Sequence, residues 1–414
     1  MTVQVTPQIK RLLLMNASST IIFNYIGIFV NLYIWEKERS IFDVTWFNLI
    51  MFITWSMAFA VGCRLLSRFT TRVLIRTTAI CGGITFVLLS FLELDDRLLW
   101  IACIGMPIGV MWGFYASAQN ITLCVFGKGK DFEGYFSIAS IIGQLVSIVN
   151  PIAFAFIIKW IGFSGSFLLM FLFVSVLLVV SFFIPPITLA EIKEPLFRRM
   201  RFQQVFSTSS LKWMVPSCLS AGIFLQFQGL FALIFTFSVS EDKLVIALLN
   251  VMYATSTIIA MVLYRRLKTR EGVWLMLGML FVSAGFLLPL LPKAPLLVAS
   301  NILTTVGMFY FGTIWNTRQF RIISKHSAIE QARIFLWREW MLNISRITLL
   351  VLTLFVDELR GPAFIGLIGF ALVNALVIPW FSRKGTEAFE LEQQGEGQTY
   401  RAEPARTVSD SLPG

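Results

Sequence analysis

From residue 15 to residue 381 the sequence is a succession of apolar runs separated by short polar breaks. Each run is about as long as a helix must be to cross a bilayer. A helix rises 1.5 Å per residue, so about 20 apolar residues span the hydrocarbon core. Twelve spans are predicted, at 15–35, 43–63, 74–92, 98–118, 135–158, 163–184, 213–238, 243–263, 273–291, 295–316, 334–356 and 361–381. Inside hydrocarbon the backbone must satisfy its own hydrogen bonds, and a run of this length does so as a helix. The expected fold class is an all-α membrane protein with twelve transmembrane helices in two six-helix halves. Composition agrees: 57% of residues are hydrophobic and 14% charged, against about 25% charged in a soluble domain. Disorder, a coiled coil and a basic nucleic-acid-binding domain are excluded as readings of the whole chain.

The chain carries 34 Lys and Arg and a formal charge of +11. With the N-terminus inside, 26 of these fall in the inner segments and 7 in the outer ones, with Arg346 inside a span. The split follows the positive-inside rule. It predicts a multi-pass protein of the plasma membrane with both termini cytoplasmic, and it removes the net charge as an argument for an acidic partner. The apolar N-terminal span carries no cleavable leader pattern and is expected to stay in place. The basic stretch 185–212 opens with Pro185 and Pro186 and divides the chain. The expected domains are an N-terminal half at 1–184, a cytoplasmic loop at 185–212, a C-terminal half at 213–381 and a disordered cytoplasmic tail at 382–414.

A single histidine, His326, rules out a multi-histidine metal site, and five cysteines without CxxC spacing rule against zinc or a disulfide framework. No cofactor is expected. The segment GKGKDFEG at 127–134 lacks the spacing of a phosphate-binding loop.

Amides are costly in hydrocarbon and turn toward a cavity or another helix. Asn and Gln are absent from spans three, six and nine, and span twelve has only Asn374. Every third helix is thus nearly amide-free and is expected to face lipid, while the other eight line a central path. A 3+3+3+3 plan of this kind fits nested repeats with a site near the midplane.

At this point the sequence resembles a major facilitator superfamily transporter over nearly its whole length short of the tail. The stretch GCRLLSRFTTRVLIR after span two is similar to the family's loop motif, with Ser67 in place of its acid and Thr70 in place of its second glycine, while Arg68 and Arg72 keep the basic character. The stretches FVNLYIWEKERSIFDVTWFNL, GVMWGFYASAQNI and FLWREWMLNISRITLL resemble a little-characterised bacterial group. That group is loosely similar to drug exporters and to the glycolipid flippase of lipoteichoic-acid assembly. The resemblance implies transport by alternating access and gating at Arg68 and Arg72; it implies no particular substrate.

Arg346 is the basic residue deepest in a span, and Glu339 and Asn343 precede it on one helix face by seven and three residues. A charge in a span is a functional candidate; a structural ion pair between Glu339 and either Arg346 or Arg338 is the alternative. Glu339 is the first candidate for proton coupling and Asp43, near the mouth of span two, the second; Glu36 lies outside, Asp131 and Glu133 inside. Stripes of polar and aromatic residues mark the expected substrate path: Asn24 and Asn31 on span one, Trp112, Tyr115 and Gln119 on span four, and Gln144 on span five. In the second half they are Gln226 on span seven, Asn250 and Tyr253 on span eight and Tyr310 on span ten. A lining of aromatics and amides suits a small amphipathic or aromatic solute.

The function expected is secondary transport of such a solute, with efflux the first choice. The alternatives are a lipid flippase or organic-anion transporter using Arg346, or a non-transporting membrane sensor or assembly protein. The partners expected are a small-molecule or lipid substrate, the lipid bilayer and protons, with no nucleic acid and a monomeric state. No nucleophile motif or acid pair within a span points to an enzyme.

Overall fold

The computed structural model describes residues 7–92, 94–126, 130–184, 186, 199–267, 269–291 and 293–402; within helices, the side chains of 7–9, 121–137, 140, 328 and 395–402 lie outside the description. Residues 185 and 187–198 of the expected inter-half loop and residues 403–414 of the tail therefore fall outside the described residues, as do the side chains of Asp131 and Glu133.

The first helix, α1, runs Pro7–Tyr25, widens into a π-helical turn over Ile26–Val30 and resumes over Asn31–Glu38. The Asn31 amide donates to the carbonyl oxygens of Gly27 at 3.0 Å and Ile26 at 3.4 Å. A π turn leaves carbonyls without their regular partners, and Asn31 supplies a replacement inside the membrane. Then follow α2 (Ile41–Leu65), α3 (Thr71–Phe91) and α4 (Arg97–Phe126). Lys130–Ser181 leaves helical geometry at Gly162, where φ is +72°, so it holds two helices: α5 before the glycine and α6 after it. The expected break between 158 and 163 lies at this point.

The second half comprises α7 (Ser209–Val239), α8 (Lys243–Arg266), α9 (Glu271–Leu287), α10 (Ala294–Ile323), α11 (Ala328–Thr353) and α12 (Pro362–Ala402). Several helices start on side-chain caps. Ser40 caps α2, Thr208 caps α7, Asp242 caps α8, and Ser327 with Glu330 forms a reciprocal capping box on α11. Ten stretches of the described residues are long and apolar enough to cross a membrane. One of these, Ile141–Ser181, contains both α5 and α6. α11 is not among the ten because it carries Arg338, Glu339 and Arg346; it is nonetheless embedded between α2 and α7. Twelve helices therefore make up the bundle.

Packing sorts these helices by depth. α3, α6, α9 and α12 turn rows of large apolar side chains outward, among them Ile80, Ile84, Leu168, Leu172, Met276, Leu280 and Val373. Among the described side chains, on α1 only Leu14 is so exposed, on α7 only Leu219, and on α10 none of the large apolar ones. The nearly amide-free helices thus turn apolar rows outward, but so do the amide-bearing α5 (Leu145, Val149) and α8 (Leu248, Ile259), so the period of three does not by itself mark the outer helices; α1, α7 and α10 sit deepest. Close approach of α4 to α2 rests on Gly113: a Cβ there would stand 2.6 Å from the Trp55 carbonyl oxygen and 2.8 Å from the Phe59 nitrogen. Small residues at crossing points are how membrane helices gain van der Waals contact. The halves meet where α2 lies along α11 and where the Lys130–Ser181 element lies along α8.

The structure differs from the expected disordered tail. α12 continues past residue 381, because Phe389 is buried and the Glu392 carboxylate accepts from the Ser210 amide at 3.0 Å and its hydroxyl at 2.6 Å. A carboxylate at the first turn of α7 satisfies free N–H groups and the helix dipole.

Candidate functional site

An aromatic ladder crosses from the first half toward the second at mid-depth. Phe23 of α1 stacks on Trp112 of α4 at 3.8 Å between ring centres. Trp112 stacks on Trp55 of α2 at 5.1 Å, and Trp55 on Phe52 at 5.2 Å. Tyr115 meets the edge of Phe23 at 4.9 Å. The Arg346 guanidinium of α11 covers the far end, 5.2 Å from the centre of Phe52 and 5.7 Å from that of Trp55. Such distances are in the cation–π range. Arg346 also donates to Asn343 Oδ1 at 3.2 Å. The ladder therefore joins three helices of one half to a cation of the other.

Sequence reasoning found Trp112, Tyr115, Asn343 and Arg346 but missed Phe23, Phe52 and Trp55. The available signal was that Phe52 and Trp55 stand three residues apart on one helix face.

Beside the ladder, amides join α1 to its neighbours. Asn16 Oδ1 accepts from the Tyr115 hydroxyl and the Gln119 amide, both at 3.3 Å. Asn150 donates to Asn24 Oδ1 at 2.8 Å and to the Ile21 carbonyl. Asn48 donates to Asn31 Oδ1 at 3.0 Å. Asn24 and Asn31, expected to face a path, thus spend their oxygens on neighbouring helices. Gln144 is half-buried and Gln226 buried. Asn250 donates to its own helix at Ile246. Tyr253 is buried with its hydroxyl unpartnered. Tyr310 departs from the expected path: its ring lies 4.7 Å from Trp274 of α9, in the α9–α10 seam.

A second polar cluster occupies the second half. Arg338 donates to Gln319 Oε1 at 2.6 Å, Asn316 Oδ1 at 3.0 Å and Glu339 Oε1 at 3.2 Å, and its guanidinium covers Trp315 at 5.0 Å. Gln319 donates to Cys218 Sγ, and Trp315 to Ser217. Glu339 therefore pairs with Arg338, the second of the two partners expected for it.

The ends of the bundle that carry few basic residues are tied across the halves. Arg39 pairs with Glu241 at 2.6 Å and Lys243 with Glu36 at 3.3 Å, beside a Trp35–Phe237 ring contact at 6.2 Å. Arg39 and Glu241 are 63% and 75% exposed, so their pair adds about 0–1 kcal/mol and opens easily. Below them, Arg97 divides its guanidinium between Glu38 at 2.6 Å and the buried Asp43 at 3.2 Å. At the basic end Arg68 is exposed, while Arg72 donates to the Ile184 carbonyl at 2.6 Å and fixes the start of α3 to the end of α6. A groove of about 400 Å³ between α3 and α6 is lined by Ile80, Ile84, Val87 and Phe171. It lies on a lipid-facing flank, away from the ladder.

No protein-family profile matches the chain. It is similar to the uncharacterized protein YqgE of Bacillus subtilis (strain 168), 21% identical over 402 residues, covering 92% of this chain and 90% of that one. It also matches an uncharacterized protein in the sodM 3′ region of Geobacillus stearothermophilus, 24% identical over 151 residues, covering 36% of this chain and 68% of that one. Among solved structures it is similar to a POT family transporter in complex with 5-aminolevulinic acid: TM-score 0.68, 13% identity, covering 93% of this chain and all (100%) of that one. The nucleoside transporter NupG superposes with TM-score 0.61 at 11% identity, covering 93% of this chain and 99% of that one. At these identities the likeness concerns the fold: the chain is an all-α, multi-pass membrane protein that shares the helical fold of these transporters.

Proposed function

We propose that the protein is a secondary active transporter that moves a small amphipathic or aromatic solute across the plasma membrane by alternating access, in the direction of efflux, with both termini cytoplasmic. The observation that carries this reading is the ladder Phe23–Trp112–Trp55–Phe52 ending on Arg346. It sits where the two halves meet, which is where a solute must be held if each half is to rock about it. The solute's ring takes a place along the ladder, and Arg346 with Asn343 contacts its polar group. The weak latch at Arg39–Glu241 and Lys243–Glu36 opens and closes one end. The likeness to peptide and nucleoside transporters supports transport in general and gives no substrate.

Proton coupling is assigned to Asp43 ahead of Glu339. The Glu339 carboxylate is held by Arg338, whereas Asp43 is buried and, among the described residues, accepts no side-chain hydrogen bond and shares its cation, Arg97, with Glu38. A proton on Asp43 hands Arg97 to Glu38 without leaving that cation unpaired. Asp43→Asn is therefore expected to leave solute exchange at equilibrium intact while abolishing accumulation driven by a pH gradient. Gradient-driven accumulation at the wild-type rate in that variant excludes Asp43.

The test of the function is counterflow in proteoliposomes preloaded with an aromatic amphiphile such as a rhodamine dye or an indole derivative. Exchange of labelled solute that depends on Trp55 supports the reading. Absence of exchange across a panel of dyes, indoles and labelled lipids contradicts it and favours the sensor or assembly role.

A further inference from the structure

The reading above leaves the charge of the solute open, and the groups around Arg346 decide it. Resting on that reading, we infer that the site takes an oxyanion carried on a flat apolar body, an aryl carboxylate being the simplest member, and refuses the corresponding amine.

A guanidinium presents five N–H donors and accepts nothing. Arg346 places one of them on Asn343 Oδ1. Among the described residues no carboxylate lies within 4.0 Å of it, and Glu339, two turns away on the same face, is paired with Arg338. Because the guanidinium can only donate, the Asn343 atom facing it is the oxygen, so its nitrogen points elsewhere. That nitrogen is buried without a partner on a residue that is 0% exposed. The indole N–H groups of Trp55 and Trp112 are likewise buried and unpartnered. All of these are donors.

The Asn oxygens of α1 beside the ladder each already accept a hydrogen bond. Asn16 Oδ1 takes Tyr115 and Gln119, Asn24 Oδ1 takes Asn150, and Asn31 Oδ1 takes Asn48. A cation at membrane depth resting on two rings and one amide oxygen lacks a counter-ion, and unpaired charge is costly there. Unsatisfied buried donors add to that cost. One ligand relieves both: an oxyanion on the guanidinium fork, with its ring continuing the ladder. A cationic solute meets the opposite fit, since it adds charge of the same sign and finds no free carboxylate beside Arg346 among the described residues.

The same oxyanion chemistry belongs to a soluble organic acid and to the phosphate of an anionic lipid, so the experiment separates them. Binding of indole-3-acetate, indole-3-acetamide and tryptamine, equal in size and different in charge, is measured by calorimetry on the full chain in phosphatidylcholine nanodiscs. A hydrogen bond to a charged group outweighs one between neutral groups, so the acid is expected to bind at least ~10-fold more tightly than the amide or the amine. Arg346→Gln is expected to bring the acid within about threefold of the amide, and Arg346→Lys to keep part of the preference. Equal affinities, a preference for tryptamine, no binding by any of the three, or an unchanged preference in Arg346→Gln overturns the inference. If Arg346→Gln binds none of the three, Arg346→Lys decides: loss of preference there also overturns it. Repeating the titration with phosphatidylglycerol in the discs assigns the source. Competition points to a lipid headgroup and its absence to a soluble acid, and both keep the oxyanion class. Exchange of the amide and the amine in counterflow with no preference for the acid retains transport and rejects the anion; tight acid binding without exchange of any solute does the reverse.

Discussion

Arg338→Ala is expected to lower stability by about 3–5 kcal/mol, the scale for breaking a buried ion pair by removing one partner. The side chains of Arg338 and Glu339 are 11% and 12% exposed, so solvent does little to screen the loss. Without the guanidinium, the Glu339 carboxylate and the oxygens of Gln319 and Asn316 lose a donor together, and Trp315 loses the cation on its face. Glu339→Gln is expected to cost less, because Arg338 keeps both amide oxygens and its ring. The paired change Arg338→Met with Glu339→Gln removes the charges together and is expected to fall between the two. The melting temperature in detergent checks the order. If Glu339→Gln leaves stability untouched and abolishes gradient-driven transport, Glu339 is the proton carrier and the assignment to Asp43 fails.

The second large effect is expected at Trp55. Its ring joins the Trp112 and Phe52 stacks and supports Arg346. An aromatic pair is worth about 0.5–1.5 kcal/mol beyond buried area, and a desolvated cation–π contact about 2 kcal/mol. Losing both in Trp55→Ala is expected to raise KM in counterflow by ~60- to 300-fold. Trp55→Phe keeps a ring in the ladder and is expected to change KM less than about threefold. Trp160, 78% exposed on the lipid side, is the control, and Trp160→Ala is expected to leave KM unchanged. Equal effects of the alanine changes at 55 and 160 contradict a role for the ladder.

The spans were legible because a bilayer imposes one length on every helix, and the turn at Gly162 falls in the gap the hydropathy leaves. The outward rows of α3, α6, α9 and α12 were legible because amides are expelled from hydrocarbon, but those of α5 and α8, which carry Gln144, Asn150 and Asn250, were not. Arg346 stood out for the same reason in reverse. The ladder was not legible. Its members come from α1, α2, α4 and α11; the three-residue spacing of Phe52 and Trp55 is a local hint, but nothing local distinguishes Phe23 among 40 phenylalanines. The fate of the amides was equally hidden: Asn24 and Asn31 have the pattern of a lining, but their oxygens are taken by Asn150 and Asn48, partners that only folding supplies. The helical course of 382–394 was hidden too, since its polar composition outweighs the docking of Phe389 and Glu392.

Alternating access about the ladder requires the latched end to part in every cycle. Arg39→Cys and Glu241→Cys, introduced together after the five native cysteines are replaced by serine or alanine, place one thiol on each half. Joining them with a reducible bifunctional maleimide reagent tests the requirement directly. The predicted result is counterflow abolished in the cross-linked protein and restored on cleavage of the linker, with each single-cysteine variant unaffected by the reagent. Counterflow at the wild-type rate with the two halves joined at this end would contradict the account.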